Sequence, residues 1–471
     1  MDRKTRPEAR WYHGLITLLL LICVMLYHVA VLGGTPLLPL IVGCAVASVV
    51  SAVIGYRWKD ILAFMIEGIV PSLEAILILM LIGGLTGIWI LSGTVPAMIY
   101  YGLCILNARW FFAASALICA IVSFALGAWG TVGTVGIALV GVGTALGLPL
   151  PMVAGSIVSG AYFGDALSPL SDATNFTAAA AGTKVLSLVK DRIVPVVCSF
   201  ALGLVCFFLL GLANSASGSG QIAAAVGPLK AMLRETYDIS PLCILPLAVL
   251  AAAIVLKIPA IPSILLGILS GALLALFGQG ADMGRLAAAI TDGNVSRTGS
   301  ALIDALFSAG GIASMMNTVS VVIAAMAFGG LMQKSGQIRA LLAPLVGKLK
   351  GFGLLSGAAA LSCLLVNILL PDQYLGISVP GQMFMEEFDK RGCGRVRLST
   401  ALTAAPLTSP LVPWNTCGLF CMSMLGVSAR EYLPYAFFNL IGLAVVVFLG
   451  FFRAGKLKKD GRTGPAGEDD K

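Results

Sequence analysis

Two short polar runs interrupt an otherwise very apolar chain and constrain its fold more than any other feature. The first reads Ser168-Pro169-Leu170-Ser171-Asp172-Ala173-Thr174-Asn175, and the second, 241 positions later, reads Ser409-Pro410-Leu411-Val412-Pro413-Trp414-Asn415-Thr416. Lipid does not tolerate unpaired backbone groups, so irregular polar backbone at membrane depth must be buried in protein or line a cavity. Two such interruptions in corresponding halves of a chain are typical of a transport site.

Composition places the chain in a membrane. Of 471 residues, 58% are hydrophobic and only 11% are charged, with a mean hydropathy of +0.97, whereas soluble proteins carry about 25% charged residues. A spanning helix needs about 20 apolar residues, and the chain offers about ten to twelve such stretches. We expect about twelve transmembrane segments and regard ten as the alternative.

Basic residues lie mainly in the loops and at the two ends of the chain. They are Arg3, Lys4, Arg6 and Arg10 at the start, and Arg453, Lys456, Lys458, Lys459 and Arg462 after the last apolar run. By the positive-inside rule both termini are cytoplasmic, which requires an even number of crossings. The net charge of +8 therefore does not indicate nucleic-acid binding. The apolar run from Trp11 is interpreted as a retained helix, because no small-residue cleavage site clearly follows it.

The apolar pattern predicts an all-α polytopic membrane protein that includes broken helices or re-entrant hairpins. Long candidate spans are residues 14–33, 37–56, 71–91, 110–127, 192–213, 241–257, 260–277, 316–332, 353–370 and 434–452. Shorter pieces punctuated by Gly and Pro are 95–106, 132–147, 150–163, 373–384 and 397–424. These shorter pieces are candidates for half-helices that enter and leave on one side.

The chain also matches itself at a nearly constant offset. Short Gly- and Ser-containing motifs recur in the same order 240 to 246 positions apart: Gly83-Gly84-Leu85 with Gly329-Gly330-Leu331, Ser92-Gly93 with Ser335-Gly336, and Gly136-Ile137 with Gly376-Ile377. We interpret this as two repeat halves of inverted topology with a site between them near the midplane; chance similarity of apolar sequence is the alternative. The predicted division is 1–70 N-terminal transmembrane helices, 71–213 first transport repeat, 214–239 linker, 240–452 second half with the second repeat, and 453–471 a disordered cytoplasmic tail.

Candidate site residues in the first half are two acids and their hydroxyl- and amide-bearing neighbours. Asp165 and Asp172 are the only acids between Glu74 and Asp191, and an intramembrane carboxylate indicates function by default. The alternative is an aqueous loop or a helix cap. The accompanying candidates are Ser168, Ser171, Thr174 and Asn175, supported by Thr131 and Thr134 in the Gly-rich stretch after Trp129.

The second half supplies a matching set around one acid. Asp372 follows an apolar span and a proline, so it opens a broken region, although Asp is also a common helix N-cap. The other candidates are Ser409, Asn415 and Thr416, supported by Gln373 and Trp414. Trp414 is open to two interpretations, a gate or simple packing.

This inventory suits a hard alkali cation, which prefers carboxylate, amide, hydroxyl and backbone oxygens. A carboxylate that holds either a proton or a sodium ion gives antiport by competition at one site, when combined with alternating access. We expect no cofactor other than sodium as the transported or coupling ion. No Gly-x-x-x-x-Gly-Lys-Ser/Thr loop occurs, which disfavours an ATP-driven pump, and we expect no enzymatic activity. The eleven cysteines lack metal spacing and are interpreted as small buried residues.

At these residues the sequence resembles the NhaC family of sodium/proton antiporters, within the ion transporter superfamily. The resemblance covers about residues 70 to 450 and includes Ile88 to Pro96, Trp129 to Thr134, Gly160 to Asp165, Ser168 to Asp172, Gly310 to Met316, Asp372 to Leu375 and Pro413 to Gly418. It implies secondary active transport through two broken-helix repeats.

The resemblance leaves the transported solute open, because the family also includes relatives that look like malate/lactate exchangers. In this chain Thr403-Ala404-Ala405-Pro406 carries no acid where antiporter-like members tend to have one, and Gln333 and Ala313 stand where Glu is expected. Fewer intramembrane carboxylates mean fewer proton-carrying groups, which weakens pure sodium/proton exchange and favours transport of an organic solute. The leading prediction is still sodium/proton exchange across the plasma membrane by alternating access. The alternative is sodium- or proton-coupled transport of a small organic acid or amino acid. The expected partners are sodium, protons and the lipid bilayer, with a homodimer left open and no nucleic acid.

Overall fold

The structure is a computed structural model. It describes residues 8–215, 227, 230–256, 258–297, 304, 307–346, 351–370 and 372–460. Within these residues every regular element is helical, which confirms the all-α class predicted from the apolar pattern. The Ser/Gly-rich part of the predicted linker, 216–226, lies outside the described residues.

The first part of the chain forms ten helices. They are α1 (Trp11–Met25), α2 (Leu37–Ile54), α3 (Trp58–Ile69), α4 (Leu73–Leu91), α5 (Thr94–Ile105), α6 (Phe111–Thr131), α7 (Ile137–Ala145), α8 (Leu150–Leu167), α9 (Asp172–Ala180) and α10 (Val185–Ser215). A π-helical turn, Val132–Gly136, joins α6 to α7. The predicted short piece 132–147 is therefore continuous with the span before it.

Besides the helical stretch Lys230–Thr236, the second part contains twelve further numbered helices among the described residues. They are α11 (Leu245–Val255), α12 (Ala260–Gly278), α13 (Met283–Thr291), α14 (Ile312–Lys334), α15 (Gln337–Val346), α16 (Phe352–Leu369), α17 (Gln373–Lys390), α18 (Arg395–Leu402), α19 (Ala404–Thr408), α20 (Thr416–Leu425), α21 (Ala429–Tyr432) and α22 (Phe437–Asp460). Because α22 continues to Asp460, the disordered tail predicted from 453 is wrong for 453–460. Ala, Lys and Leu are good helix formers and extend the helix beyond its apolar part.

Seven helical stretches in the described residues are long and apolar enough to span a membrane, or nine if two bent pairs each count as one span. The seven are Trp11–His28, Leu37–Ile54, Trp58–Leu91, Leu126–Ala145, Val185–Asn214, Ala260–Gly278 and Ile312–Lys334. Four shorter apolar helices accompany them. The chain is therefore a multi-pass membrane protein, whereas twelve crossings and an inverted repeat stay predictions.

The order of elements recurs in the two halves. A long helix followed by a short one (α4 and α5, then α14 and α15) precedes a helix that ends in a break (α6, then α16). The matched Ser92-Gly93 and Ser335-Gly336 motifs stop α4 and α14, and both glycines have a positive φ, 76° and 79°. Glycine adopts this left-handed conformation at little cost, which explains why the motif recurs at both helix ends. The polar runs then precede α9 and α20, and each half closes with a long helix, α10 or α22.

Close helix packing fixes the first break in place. Along α8, Gly160 and Gly164 lie against the backbone carbonyls of Ala116 and Ala120 on α6, and a Cβ on either glycine would overlap those carbonyl oxygens. Small residues at this spacing let two membrane helices approach closely. The approach brings the end of α8, which carries Asp165, against the break in α6.

The N-terminal helices pack on the second half of the chain. Thr17 of α1 donates a hydrogen bond to the side-chain oxygen of Gln337 (2.7 Å), and Gly68 of α3 lies directly against Gly330 of α14. Buried apolar side chains, including Leu40 and Phe328, pack between the N-terminal helices and α14. Helices α1 to α3 therefore support α14, and Trp414 of the second polar run packs against the same group of side chains.

Candidate functional site

The first break lies inside α6, at Gly127. Its backbone angles are φ 69° and ψ 173°, a combination that a residue with a Cβ rarely adopts. The break frees the N–H of Ala128, which donates to Oδ1 of Asp165 on α8 at 3.2 Å. A Cβ on residue 127 would stand 3.3 Å from the same carboxylate oxygen. Glycine therefore permits both the break and the close approach of Asp165.

The first polar run leaves α8 at Ser168, turns at Pro169 and Leu170, and continues as the first residues of α9. Ser168 donates to the carbonyl of Phe124 on α6 (2.7 Å), which ties the run to the broken helix. Ser171 is the N-cap of α9, and its hydroxyl accepts a hydrogen bond from the N–H of Thr174 (3.2 Å). The Thr174 hydroxyl in turn donates to the backbone carbonyl of Asp165 (3.1 Å). Three of the predicted residues thus hold Asp165 and the start of α9 together.

A buried arginine that sequence reasoning missed completes this first group. Arg192 of α10 is only 1% exposed. It donates to the hydroxyl of Thr174 at 2.6 Å and to that of Thr403 at 3.4 Å. It lines, with Asp165 and Tyr162, a small cavity that has room for about one water molecule. We call Asp165, Thr174, Arg192 and Thr403 the arginine pocket.

The second break lies between α16 and α17. Asp372 is the N-cap of α17, and its Oδ1 accepts hydrogen bonds from the N–H groups of Tyr374 (2.8 Å) and Leu375 (3.1 Å). Its Oδ2 accepts from the hydroxyl of Thr416 at 3.3 Å. The side chain is 4% exposed, and among the described residues no Lys, Arg or His side chain forms an ion pair with it. Asp372 is thus both a helix cap and a buried acid without a cationic partner.

Side-chain oxygens gather around Asp372. The hydroxyl of Thr416 lies 3.5 Å from Oδ1 of Asn415, and the hydroxyl of Ser409 lies 3.4 Å from Oε1 of Gln373. Asn415 caps α20 by accepting from the N–H of Cys417 (3.2 Å). All five residues are buried. We call Asp372, Gln373, Ser409, Asn415 and Thr416 the Asp372 cluster, and all five are residues that the sequence singled out.

Aromatic residues join the two groups across the halves. Tyr374, at the start of α17 and two residues after Asp372, meets the ring of Phe176 on α9 edge-on at 5.2 Å. Trp129, just after the first break, stacks on Phe420 of α20 at 4.7 Å. Helix α9, which begins within the first polar run, therefore contacts the start of α17 beside Asp372.

The other sequence candidates have more local roles. Asp172 and Asn175 are exposed, and the amide of Asn175 donates to the carbonyls of Pro169 and Ser171. The hydroxyls of Thr131 and Thr134 donate to carbonyls four residues earlier in their own helix.

Trp414 donates its indole N–H to the carbonyl of Ile368 (2.8 Å), which fixes its ring against α16. In the described part of the chain, no group of three His, Cys, Asp or Glu side chains lies close enough to bind a metal ion. The ten predicted ligands thus come from two stretches of the chain, one around Asp165 and one around Asp372, and their role as sodium ligands stays a prediction.

The known proteins that this chain resembles are all described as antiporters, and each match covers most of the chain. The model of the Na+/H+ antiporter family matches residues 9–214 and 202–453. A relative from Alkalihalophilus pseudofirmus described as Na(+)/H(+) antiporter NhaC is 36% identical over 93% of this chain and 96% of its own length. The malate-2H(+)/Na(+)-lactate antiporter of Bacillus subtilis is 33% identical over 88% of each. The arginine/ornithine antiporter ArcD of Halobacterium salinarum is 31% identical over 98% and 96%. The chain belongs to the Na+/H+ antiporter family.

Proposed function

We propose that this protein exchanges sodium ions for protons across the plasma membrane by alternating access, with Asp372 as the carboxylate that holds one or the other. The family and two similar proteins described as NhaC antiporters support sodium and protons as substrates. The observation that carries the proposal is a buried acid without a cation, at a helix break and among side-chain oxygens.

The chemistry of Asp372 follows from its burial. A bare carboxylate in an apolar interior is costly, so the group is stable when it holds a proton or a metal cation. Sodium prefers several oxygen ligands; the Thr416 hydroxyl contacts the carboxylate, and Asn415, Gln373 and Ser409 carry further oxygens in the same cluster. The N–H groups of α17 occupy Oδ1, so the exchanged cation would bind at Oδ2, next to the Thr416 hydroxyl. Because proton and sodium compete for the same oxygen, binding of one releases the other.

The joined halves supply the element that alternating access requires. Broken helices that meet near the middle of a membrane protein allow one half to rock against the other around a fixed site. Here contacts such as Phe176 with Tyr374 and Trp129 with Phe420 cross between the halves. The basic residues at both ends of the sequence support cytoplasmic termini.

The test is a sodium-driven pH change in proteoliposomes that contain the purified chain. An outward or inward sodium gradient should move protons in the opposite direction, and Asp372→Asn should lower the rate to that of protein-free liposomes. Asp389→Asn is the matched control, since Asp389 is an exposed acid at the other end of α17 and should retain the flux. The proposal would be ruled out if the parent protein moved no protons in response to a sodium gradient. It would also be ruled out if Asp372→Asn kept the full rate of sodium-driven proton flux.

A second candidate function is coupled transport of a small organic acid or amino acid. The observation in its favour is the buried guanidinium of Arg192, a group that binds carboxylates well. Two similar proteins are described as malate/lactate and arginine/ornithine antiporters. Uptake of labelled malate, lactate or arginine into the same proteoliposomes separates the two functions. Sodium-driven proton flux that needs no organic solute favours the first.

A further inference from the structure

Arg192 is a buried charge whose direct partners are neutral. Its two terminal nitrogens donate to the hydroxyls of Thr174 and Thr403, and its Nε has no hydrogen-bond partner. Arginine is almost never fully buried unless it is paired with an acid. The side chain therefore needs a negative charge in the same pocket to be stable there.

Asp165 supplies that charge. It lines the same small cavity as Arg192, and the two side chains interact electrostatically. The other charged or titratable groups that interact with Asp165 are Asp172 on α9 and Tyr374 on α17. Arg192 is thus the cation that faces Asp165 from the surrounding helices.

Thr174 keeps the guanidinium in this position. A threonine hydroxyl donates one hydrogen bond and accepts others; here it donates to the backbone carbonyl of Asp165 and accepts from Arg192. Thr403 holds the second terminal nitrogen from the other half of the chain. The guanidinium is therefore fixed beside Asp165 by one hydroxyl from each half.

A sodium ion at Asp165 would lie beside this fixed positive charge in an interior of low dielectric, where repulsion between cations is strong. The Asp372 cluster has no such charge. We infer that the fixed positive charge of Arg192 keeps sodium from binding to Asp165 and thereby directs the ion to Asp372. Arg192 is a positioning residue for the exchange, and this inference rests on the proposed function for the role of Asp372.

The inference predicts a gain of function on removing the arginine. Arg192→Gln keeps a polar side chain of similar reach but no charge, and it should allow Asp165 to bind sodium. Equilibrium binding of radioactive sodium to the purified protein in alkaline buffer should rise by about one ion per chain. The extra ion should persist in the double variant Arg192→Gln/Asp372→Asn and disappear in Arg192→Gln/Asp165→Asn.

The control is Lys190→Gln, which removes an exposed cation from the same helix and should leave sodium binding unchanged. Thermal unfolding of each variant shows whether it is folded, and Arg192→Lys, which keeps the charge, should bind no extra ion. A folded Arg192→Gln protein with the same sodium stoichiometry as the parent overturns the inference. Sodium binding that survives in Asp372→Asn but is lost in Asp165→Asn overturns the inference, whereas sodium binding that survives in both single variants contradicts only the proposed role of Asp372.

Discussion

The two helix breaks hold their acids in opposite ways. In the first half, Asp165 comes from a neighbouring helix and reaches across to the N–H that the break at Gly127 exposes. In the second half, Asp372 lies in the break itself and caps its own helix. At the offset of 241 residues, Asp372 corresponds to Thr131 and Asp165 to Pro406. Among the described residues each half has one buried acid near its break, and the two acids are not at equivalent positions.

The charge around each acid decides, more than its position does, whether that acid can bind an exchanged cation. Asp165 shares its pocket with Arg192, whereas Asp372 is surrounded by neutral oxygens. A paired buried charge is stable without a ligand, but an unpaired one requires a proton or a cation. The two breaks therefore differ in charge: Asp165 lies in a cavity with a buried guanidinium, whereas Asp372 lies in a cluster of uncharged polar side chains, as an exchangeable site requires.

The largest expected effect concerns the helix contact that supports the first break. In Gly164→Ala the new Cβ meets the backbone carbonyl of Ala120, which cannot move away without shifting α6. We expect a loss of about 3 kcal/mol or more of stability, seen as poor yield and a lower melting temperature in detergent. The equivalent position of the second half is Ala405, and Ala405→Gly should cost only about 1 kcal/mol. Equal melting temperatures for Gly164→Ala and the parent would show that α6 and α8 leave room for a methyl group between Gly164 and Ala120.

The second prediction compares the glycines of the matched Gly-Ile motifs. A Cβ on Gly376 would overlap Oδ1 of Asn367, and Asn367 cannot turn away because its amide donates to Ala405 and Thr408 at 2.7 and 2.8 Å. Gly376→Ala should therefore displace α17 and lower sodium-driven proton flux at least about tenfold. A Cβ on Gly136 meets no atom closer than Ile157 at 3.2 Å, with Leu425 and the carbonyl oxygen of Thr131 at 3.4 Å, so Gly136→Ala should retain most of the flux. The reverse order of activities would place the exchange site in the first half.

Sequence reasoning identified the Asp372 cluster because polar side chains in an apolar surrounding are visible without a structure. It also placed the breaks, since Gly, Pro and helix-capping residues disrupt helices locally. It did not predict that Asp172 and Asn175 are exposed, because the face of α9 that packs against protein depends on contacts with α8, α10 and α17 that are distant in sequence.

Arg192 was missed for a similar reason. It stands at the first position of the apolar stretch 192–213, next to Lys190 and Asp191, where a charged residue is usually interfacial. In the structure α10 begins seven residues earlier, at Val185, which moves Arg192 into the interior. A basic residue at the edge of an apolar run, combined with an unpaired acid elsewhere in the same half, is the signal that was available.

The third prediction compares the caps of the two short helices that follow the polar runs. Asn415 caps α20 within the Asp372 cluster, whereas Ser171 caps α9 beside the arginine pocket. Loss of either cap costs about 1 kcal/mol of helix stability. Only Asn415→Ala also removes an oxygen from the proposed sodium site, so we expect the sodium concentration for half-maximal flux to rise about tenfold there and less than about threefold in Ser171→Ala. Similar shifts in the two variants would indicate that capping alone explains the effect.

The smallest effect is expected at the connection after α17, which has no charged counterpart in the first half. Arg395 forms two hydrogen bonds with the carboxylate of Asp389, at 3.0 and 2.9 Å, and these hydrogen bonds lower the pKa of Asp389. A lowered pKa in the folded state stabilises the protein above the unfolded pKa of about 4, and the contribution is lost as the pH falls through the folded value. Because the pair is largely exposed to solvent, Asp389→Asn should lower the melting temperature by about 2 °C or less at neutral pH.

That difference should shrink when melting is measured at lower pH and in high salt, since salt screens exposed charges. The connection at the same place in the first half, residues 146–149, is Leu-Gly-Leu-Pro and offers no ionisable group, so Leu148→Ala should show no such pH dependence. A much larger loss in Asp389→Asn, together with reduced proton flux, would mean that the ion pair orients α17 and, through it, Asp372. The turn after α17 would then add a further difference between the halves. Only in the second half would a charged surface turn influence the position of the exchangeable acid, Asp372.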